Sequence, residues 1–515
     1  MAVGRAGDLQ EVDVTIVGGT LPPRRRDDTS VMLGVSVCVI DGKPRSLEFG
    51  RADALNARTQ QYFEAAKLLD DLLPQGLKCN TSSTFGDGVF KSRQNDWWVG
   101  LDHCLHKNFL MIGQPVVEKM MSERLGDAVH YGEQVVSISE CHSFVEVSTN
   151  TGRTVRSKYA VGADGARSFV RKATGATFTG TKPEMLWAVL DTFIDTDFPI
   201  CPEIITFQLN GQSRVSWIPR ERGLCRFYVL LDGEVTQARA EESIKQHMAP
   251  HQVNFKKTEW YSTFDVKERI ASSFVSKNGA GRILLGGDAA HVHSVNGGQG
   301  LNTGIADAFH LAWRLALVVK KSSLTPAAAD RLLGSYDLER RRTAQGVIDV
   351  AAALVRDTVH TAKQYVGTIE KNAGYITGMG VAYDEFDSPL VHKSEHGIWK
   401  AGRRCPDLLL RAEGRDGTTW LYQETTYGKF LVLLIGKHEK VHLGHGDVAV
   451  PYRIRPENAA VSESVVQDLE FKTFTAEWAR EGDSFAVVVR PDMYIGHVGE
   501  DVESCRAYLD DLFEN

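Results

Sequence analysis

The chain has 515 residues, which is too long for one ordinary domain, so two or three domains are expected. Hydrophobic residues make up 43% of the sequence and charged residues 24%, as is typical of soluble globular proteins. The net charge of −7 argues against nucleic-acid binding, and no run of about 18 apolar residues predicts a membrane span. Eight scattered cysteines without a CxxC pair favour reduced thiols in a cytoplasmic protein over disulfides or a zinc site.

The first predicted element is a buried strand over Val12–Val17, which is followed by Gly18 and by an arginine- and proline-rich stretch, Thr20–Ser30. A second strand is predicted over Val35–Ile40 and ends at Asp41. Two apolar strands joined by a crossover, the second ending in an acid, are typical of Rossmann-type domains, in which the acid binds ribose hydroxyls. The N-terminal part of the chain is therefore predicted to bind a nucleotide, with Asp41 at the ribose.

Helical spacing of apolar residues predicts one helix between Tyr62 and Leu72 and another over Val116–Leu125. Between about residues 180 and 275 the pattern changes to the alternation that is typical of strands. This segment predicts a sheet that covers the cofactor. The clearest strands in it are Ile204–Leu209, Val215–Ile218 and Cys225–Leu230.

The most informative run begins with a buried strand, Arg282–Leu285, which carries Asp288 to its carboxyl end. A glycine-rich turn, Gly297–Asn302, then opens a helix predicted over Leu301–Val319, and a helical region follows to about Ile376. Asp288 can accept hydrogen bonds from a sugar-alcohol chain, and N–H groups at the helix start favour an anionic ring edge. Glycine-rich turns also occur in α/β proteins without this function, but here the acid, the glycines and the helix form one run.

The composition changes again after Gly402–Asp407. Apolar runs predict a buried strand at Lys429–Ile435 and a second strand from Phe485 that runs into a turn at Arg490–Asp492. The C-terminal part is therefore expected to form a domain of its own.

Together these stretches resemble the FAD-dependent aromatic hydroxylases of the phenol 2-monooxygenase family, which are single-component flavoproteins. Gly286–His291 and Gly297–Asn302 are similar to the second FAD motif of that family, and Tyr159–Ser168 is similar to its Asp-Gly motif. Gly50–Leu55 resembles a stretch found in the phenol hydroxylase branch. The resemblance extends from about Val12 to the C-terminus.

The resemblance implies an α/β fold with a Rossmann-like FAD-binding domain, an inserted mixed β-sheet substrate domain and a C-terminal thioredoxin-like domain. The FAD-binding domain is expected in two parts, 11–180 and 276–395, the second including the helical region. The substrate domain is expected at 181–275 and the thioredoxin-like domain at 400–515. Because the last domain lacks a CxxC pair, it is expected to be structural and to support a homodimer.

The family chemistry implies that NADPH reduces FAD and that the reduced flavin captures O2. A flavin hydroperoxide then transfers one oxygen to an activated aromatic ring. The expected substrate is a phenolic or polyketide-derived aromatic compound, used in secondary metabolism or phenol breakdown. No metal, nucleic-acid or membrane partner is expected.

By resemblance, Asp53 is the candidate base for the substrate hydroxyl, and Arg226 and Tyr228 match an Arg-Phe-Tyr triplet of the phenol hydroxylases. Positions 226 and 228 are two apart on a predicted strand, so both side chains face the same side. A turn-capping aspartate and a core tyrosine beside an exposed arginine are the alternatives. His291 is expected to stabilise its loop.

The cofactor-binding candidates occur along the whole FAD-binding region. Asp41 is assigned to the ribose, Arg58 to the phosphates, Asp164 to the pyrophosphate neighbourhood and Asp288 to the ribityl chain. The remaining candidates, at the nucleotide turn, the second helix start and the isoalloxazine edge, are Gly18, Gln114, Gly298, Gln299, Gly300, Leu301 and Asn302.

The chain departs from the family in the GxGxxG fingerprint after the first strand. Gly18 keeps its place, but Thr20 and Pro23 occupy the other two glycine positions. The Cβ of Thr20 would crowd the pyrophosphate, and Pro23 has no N–H to offer. A local frameshift or a wrongly set intron boundary explains this stretch; the rival is a genuine, non-catalytic relative with a weakened or lost FAD site. A flavin oxidase or dehydrogenase is a further alternative.

Overall fold

A computed structural model describes residues 9–19, 33–96, 101, 103–183, 185–199, 202–295, 297–357, 362–438, 443–457 and 471–514. The Thr20–Ser30 stretch, on which the altered fingerprint falls, lies outside the described residues. In chain order the helices are α1 (Ala57–Ala65), α2 (Gln114–Leu125), α3 (Phe169–Ala173), α4 (Gln237–Met248), α5 (Gln299–Lys320), α6 (Pro326–Asp357), α7 (Ala362–Lys371), α8 (Ala373–Ile376), α9 (Leu421–Glu424) and α10 (Val502–Glu514). The strands are β1 (Leu9–Val17), β2 (Val37–Asp41), β3 (Ala54–Leu55), β4 (Leu77–Cys79), β5 (Thr81–Gly86), β6 (Val89–Asp96), β7 (Phe109–Met111), β8 (Val129–Tyr131), β9 (Val135–Glu140), β10 (Val145–Thr149), β11 (Thr154–Gly162), β12 (Phe178–Thr181), β13 (Leu186–Thr196), β14 (Ile204–Leu209), β15 (Gln212–Pro219), β16 (Cys225–Leu230), β17 (Val253–Asp265), β18 (Glu268–Ala271), β19 (Ile283–Leu285), β20 (His291–Val292), β21 (Glu395–His396), β22 (Trp399–Lys400), β23 (Leu409–Ala412), β24 (Thr419–Trp420), β25 (Phe430–Gly436), β26 (Ala449–Pro456), β27 (Lys472–Ala476), β28 (Ser484–Val489) and β29 (Ile495–Gly499).

The first sheet carries the nucleotide-type motif. Its order is β8-β2-β1-β11-β10-β9, with β19 also paired to β11. Strands β8, β2, β1, β11 and β19 run parallel, while β10 is antiparallel to both β11 and β9. The carboxyl ends of β1, β2, β11 and β19 therefore meet at one edge, which is where open α/β sheets place their ligands.

The second sheet has the order β17-β13-β16-β15-β14-β5-β6. Strands β14 and β16 have the predicted bounds, because their alternating pattern buries one face against α4. The sheet also contains β5 and β6, which come from residues 81–96. The predicted segment 181–275 is therefore an incomplete description of this sheet.

The helix predicted between Tyr62 and Leu72 is wrong in its bounds. Helix α1 begins at Ala57 and ends at Ala65, and only short 3-10 turns follow at Leu69–Asp71 and Leu73–Gln75. Lys67 adopts a left-handed φ of 55°, which a continuous helix does not allow. Apolar spacing continues past this break because the turns bury their apolar residues in the same core.

The third sheet lies in the C-terminal part and has the order β24-β23-β27-β26-β25-β28-β29. Strand β25 is fully buried, parallel to β26 and antiparallel to β28. Helix α10 packs on it with its apolar face, in a core that also includes Trp313 of α5. Within the described residues, no helix combines the length and apolar character needed to cross a membrane.

Candidate active site

A cleft of about 1130 Å³ follows the carboxyl edge of the first sheet. It collects residues from four separate motifs, as the parallel strand order requires. The predicted cofactor residues that line it are Gly18, Asp41, Gln114, Asp164, Asp288, Gly300 and Leu301.

Gly18 closes the end of β1 against the Asp-Gly motif. Its φ is +71°, and a Cβ built on it would lie 2.6 Å from Asp164 Cα and 2.8 Å from the Ala163 carbonyl oxygen. The Asp164 carboxylate accepts hydrogen bonds from the Ser168 hydroxyl and from the Phe169 amide at 2.6 Å, so it caps α3. Only glycine allows β1 to end this close to the Asp-Gly motif, and Gly18 lies at the lining of the cleft.

Asp41 is held in a fixed orientation at the end of β2. Its Oδ1 accepts a hydrogen bond from the Lys43 amide at 2.9 Å, and Lys43 Nζ lies 3.4 Å from Oδ2. Lys43 Nζ also pairs with Glu118 Oε1 at 3.0 Å. Burial alone would lower the pKa of Lys43, but Glu118 and Asp41 outweigh it and raise that pKa. The result is a buried carboxylate at the cleft wall, as expected for a group that binds ribose hydroxyls.

Asp307 on α5 holds the turn that carries Asp288 in place. Asp307 Oδ2 accepts a hydrogen bond from the Gly287 amide at 3.0 Å and lies 2.7 Å from His291 Nε2. Arg340 Nε donates to Asp307 Oδ1 at 2.8 Å. Burial would raise the pKa of Asp307, but His291 and Arg340 lower it to about 2. His291 therefore stabilises the loop, as the sequence predicts.

Asp288 itself extends from this turn into the cleft, where its side chain is exposed. The surrounding cleft walls desolvate the carboxylate and raise its pKa, while His291 and Arg51 act in the opposite direction. A carboxylate in this position can accept hydrogen bonds from a polyol chain, which agrees with the proposed ribityl contact.

Of the residues at the start of α5 that were predicted to contact the isoalloxazine edge, some line the cleft and others do not. Gly300 and Leu301 line the cleft, whereas Gly298, at φ +63°, caps the helix, and Gln299 is buried beside it. Asn302 Nδ2 donates to the carbonyl oxygens of Ala54 and Gly298 at 3.0 and 2.8 Å. Asn302 therefore ties the helix start to the segment that carries Asp53.

Arg58 is not brought to the cleft. Its guanidinium donates to the Tyr422 hydroxyl at 2.8 Å and to the Asp492 carbonyl oxygen at 3.0 Å, and the side chain is buried. This corrects the expectation of a phosphate contact, because every one of these contacts points to the C-terminal domain. Gln114, by contrast, lines the cleft, and its Oε1 accepts a hydrogen bond from the Ala52 amide at 3.3 Å.

Asp53, Arg226 and Tyr228 form one cluster. The Tyr228 hydroxyl donates to Asp53 Oδ2 at 3.1 Å, and Arg226 Nη1 lies 3.5 Å from the same oxygen. Arg226 is fully buried; desolvation would lower its pKa, but Tyr228, Asp53 and Asp191 raise it. Burial, together with Asp53, raises the pKa of Tyr228, so its hydroxyl stays protonated and able to donate.

Arg51 joins this cluster to the cleft and was not singled out from the sequence. Arg226 Nη1 donates to the Arg51 carbonyl oxygen, and Arg51 itself lines the cleft at a left-handed φ of 66°. The sequence feature that could have identified Arg51 is its position two residues before Asp53. Arg51 therefore connects the cluster to the cleft lining, where its charge also acts on Asp288.

An apolar group surrounds the Tyr228 side of the cluster. Phe264 also lines the cleft, so the apolar group extends from Tyr228 to the cleft lining. The members that pack together are Met185, Trp187, Tyr228, Leu230, Phe264, Val266, Val295 and Val355. Such walls suit an aromatic ring whose hydroxyl points to Tyr228 and Asp53.

A family model described as "FAD binding domain" matches residues 11–351, which is more than half of the chain. The chain belongs to the FAD binding domain family. Among curated relatives, the 3-hydroxybenzoate 4-monooxygenase of Comamonas testosteroni is 29% identical over 66% of this chain, which spans 58% of that enzyme. The phenol 2-monooxygenase fsqG of Aspergillus fumigatus is 26% identical over 82% of this chain and 75% of its own length. The resemblance to FAD-dependent aromatic monooxygenases is confirmed.

The fold has close counterparts among solved structures. Aklavinone-11 hydroxylase, solved as a ternary complex with FAD and aklavinone, has a TM-score of 0.70 at 19% identity. The match covers 98% of this chain and 99% of that one, so the whole α/β arrangement is shared. The cleft fits FAD, because it brings together Gly18 at the end of β1, the buried acid Asp41 and Asp288, which lines the cleft with the start of α5.

Proposed function

We propose that this protein is an NADPH- and FAD-dependent monooxygenase that hydroxylates a phenolic or polyketide-derived aromatic compound in secondary metabolism. The observation that carries the proposal is the hydrogen bond from Tyr228 to Asp53, with Arg226 buried behind both. The named activities of the relatives, on 3-hydroxybenzoate and on phenol, support a substrate with a ring hydroxyl.

In this proposal the Tyr228 hydroxyl, which donates to Asp53, accepts a hydrogen bond from the substrate hydroxyl. As the substrate proton moves to Tyr228, the Tyr228 proton moves to the Asp53 carboxylate. The resulting phenolate is the better nucleophile toward an electrophilic oxygen atom. Arg226, whose Nη1 lies 3.5 Å from Asp53 Oδ2, would stabilise negative charge in this cluster, and the apolar walls around Tyr228 would exclude water. FAD, when bound and reduced by NADPH, supplies the activation of O2.

The cofactor would be held by the residues that line the cleft. Asp41 would bind the ribose, Gly18 would let the backbone approach the pyrophosphate, and Asp288 would bind the ribityl chain. Gly300 and Leu301, at the start of α5, would contact the isoalloxazine edge with their N–H groups. Gln114 would border the flavin, and Asp164, which packs against Gly18, would border the pyrophosphate.

The domain assignments belong to the same proposal. Strands β26, β25, β28 and β29 are adjacent in this order, with β25 parallel to β26 and antiparallel to β28, and this supports a thioredoxin-like core at 400–515. The described cysteines of this domain, Cys405 and Cys505, are buried, so its role would be structural, in a cytoplasmic homodimer.

The test begins with the visible spectrum of the purified, desalted protein and FAD quantification after denaturation. Near-stoichiometric FAD, NADPH oxidation stimulated by a phenolic compound, and ¹⁸O from ¹⁸O2 in the product would support the proposal. Bound FAD with substrate oxidation but without ¹⁸O in the product would indicate an oxidase or dehydrogenase. A protein that stays colourless with added FAD would indicate the non-catalytic relative.

A further inference from the structure

A series of buried side chains with alternating charge begins at Asp53 and continues away from the cleft lining. Arg226 lies between Asp53 and Asp191, and on the far side of Asp191 lie Arg220 and Glu221. All five side chains belong to residues that are less than a tenth exposed. Buried ionic groups destabilise a protein unless each is closely paired. Which acid pairs with which arginine in this series therefore affects Asp53.

The two carboxylates share Arg226 unequally. Arg226 Nε lies 2.6 Å from Asp191 Oδ1, and Nη2 lies 2.6 Å from Oδ2, which makes a bidentate pair. The remaining nitrogen, Nη1, lies 3.5 Å from both Asp53 Oδ2 and the Tyr228 hydroxyl, and donates to the Arg51 carbonyl oxygen. Asp191 thus occupies one edge of the guanidinium and leaves Asp53 with a longer contact.

Arg220, the next cation in this series of buried charges, does not compete with Arg226 for Asp191. Arg220 Nη1 lies 3.5 Å from Asp191 Oδ1, whereas Arg220 donates to Glu221 at 2.9 and 2.8 Å. Glu221 Oε2 also accepts a hydrogen bond from the Gly113 amide at 3.2 Å, at the start of α2. Glu221 therefore has Arg220 as its primary partner, and Asp191 has Arg226.

We propose that Asp191 is a positioning residue: by binding Arg226 in a bidentate pair, it prevents Arg226 from closing on Asp53 and so keeps Asp53 able to accept the proton from Tyr228. The inference rests on the proposed function, in which Asp53 is the base. Asp191 is not among the residues that line the cleft, and its bidentate bond is to Arg226, so it acts through Arg226.

The physical reason is the geometry of the guanidinium. A planar fork released from one carboxylate can pair edge-on with the next, and here the next is Asp53. A carboxylate in a close pair with arginine holds its charged form more strongly and becomes a weaker base. The charged and titratable groups that face this site are Asp53, Tyr228, Arg226, Asp191, Arg220 and Glu221. Arg222, which is paired with Glu259, acts on Asp191 from farther away.

The first test compares pH profiles of kcat/KM for hydroxylated product. For Asp191→Asn we expect the acid limb to move to lower pH by about 1 pH unit and the plateau to fall on the order of tenfold. Asp191→Glu, which restores a carboxylate, should return toward the wild-type profile. Asp195→Asn, on the same strand in an exposed pair with Lys256, is the matched control and should leave the profile unchanged. A loss of activity without a shifted acid limb would overturn the proposal.

The second test does not depend on turnover. Melting temperatures are compared for the purified wild type, Asp53→Asn, Asp191→Asn and the double variant. We expect Asp53→Asn to be more destabilising in the Asp191→Asn background, because Asp53 has become the main partner of Arg226 there. Strictly additive effects would count against the competition.

The two tests separate the two claims. If the wild type forms no hydroxylated product, the proposed function fails, while the thermal cycle still decides whether Asp191 and Asp53 compete for Arg226. If Asp191→Asn does not accumulate, Asp191→Ser, whose small side chain admits water beside Arg226, replaces it in both measurements.

Discussion

At the scale of single residues, Tyr228 is the side chain whose change is most informative. Its hydroxyl donates to Asp53 at 3.1 Å and would also orient the substrate hydroxyl. Tyr228→Phe removes a hydrogen bond to a charged group, a loss of about 1.5–3 kcal/mol. We expect NADPH oxidation to continue while the yield of hydroxylated product per NADPH falls. Tyr261→Phe, which loses only a hydrogen bond to the Val235 carbonyl oxygen in the same sheet, is the control. Equal coupling in both variants would exclude Tyr228 from the reaction.

The residue scale also shows where sequence reasoning succeeds. Tyr228 and Arg226 share a strand face, so their proximity follows from spacing alone, and the motif around Asp53 supplies the third member. Asp191 carries no motif and reaches Arg226 only through the pairing of β13 with β16, which the sequence does not specify. Arg58 has the charge expected of a phosphate ligand, but its partners Tyr422 and Asp492 lie more than 300 positions away in sequence.

At the scale of elements, we expect the junction of β1 with the Asp-Gly motif to control FAD binding. In Gly18→Ala the new Cβ would lie 2.6 Å from Asp164 Cα, so the backbone must move where the cofactor approaches. We expect FAD affinity to fall on the order of tenfold or more, which corresponds to about 1.4 kcal/mol. FAD content after desalting and a titration with FAD measure this.

Gly152→Ala is the matched control for that change. Gly152 also has a left-handed φ, of +88°, but a Cβ there meets nothing within 4 Å, and the residue lies in the β10–β11 turn outside the cleft lining. Both variants carry the same kind of backbone strain, so the contacts with Asp164 and Ala163 beside the cleft distinguish them. Similar FAD affinities in the two variants would show that the cofactor does not approach Gly18.

The predicted bounds of an element agree with the structure where one sequence pattern covers the whole element. Helix α5 extends over Gln299–Lys320, close to the predicted Leu301–Val319, because a glycine turn and an unbroken apolar stripe define it. Helix α1 ends earlier than predicted because the backbone of Lys67 is left-handed, and no proline or glycine in the sequence indicates this break. Strands β5 and β6 join the second sheet through a parallel pairing of β5 with β14, a long-range contact that local patterns do not encode.

At the scale of the whole molecule, a buried ion network joins the C-terminal domain to the FAD-binding region. Arg490, in the turn after β28, donates to both oxygens of Glu339 on α6 at 2.7 and 2.8 Å and to Asp492 at 2.6 Å. Arg314 on α5 pairs with the same Glu339 at 2.7 Å and lies 3.3 Å from Asp492. All four side chains have no exposed surface, so water cannot replace a lost partner.

We therefore expect Arg490→Gln to lower the free energy of unfolding by about 3–5 kcal/mol, the cost of leaving buried charges without their partner. Urea unfolding followed by flavin release and by tryptophan fluorescence measures it. Because Glu339 and Arg314 lie on the helices that support the Asp288 turn, flavin should be released at lower urea in this variant. Arg480→Gln, an exposed change in the same domain, should leave both transitions in place. Flavin release at the wild-type urea concentration, together with an earlier loss of tryptophan signal, would show instead that the C-terminal domain unfolds independently of the cofactor site.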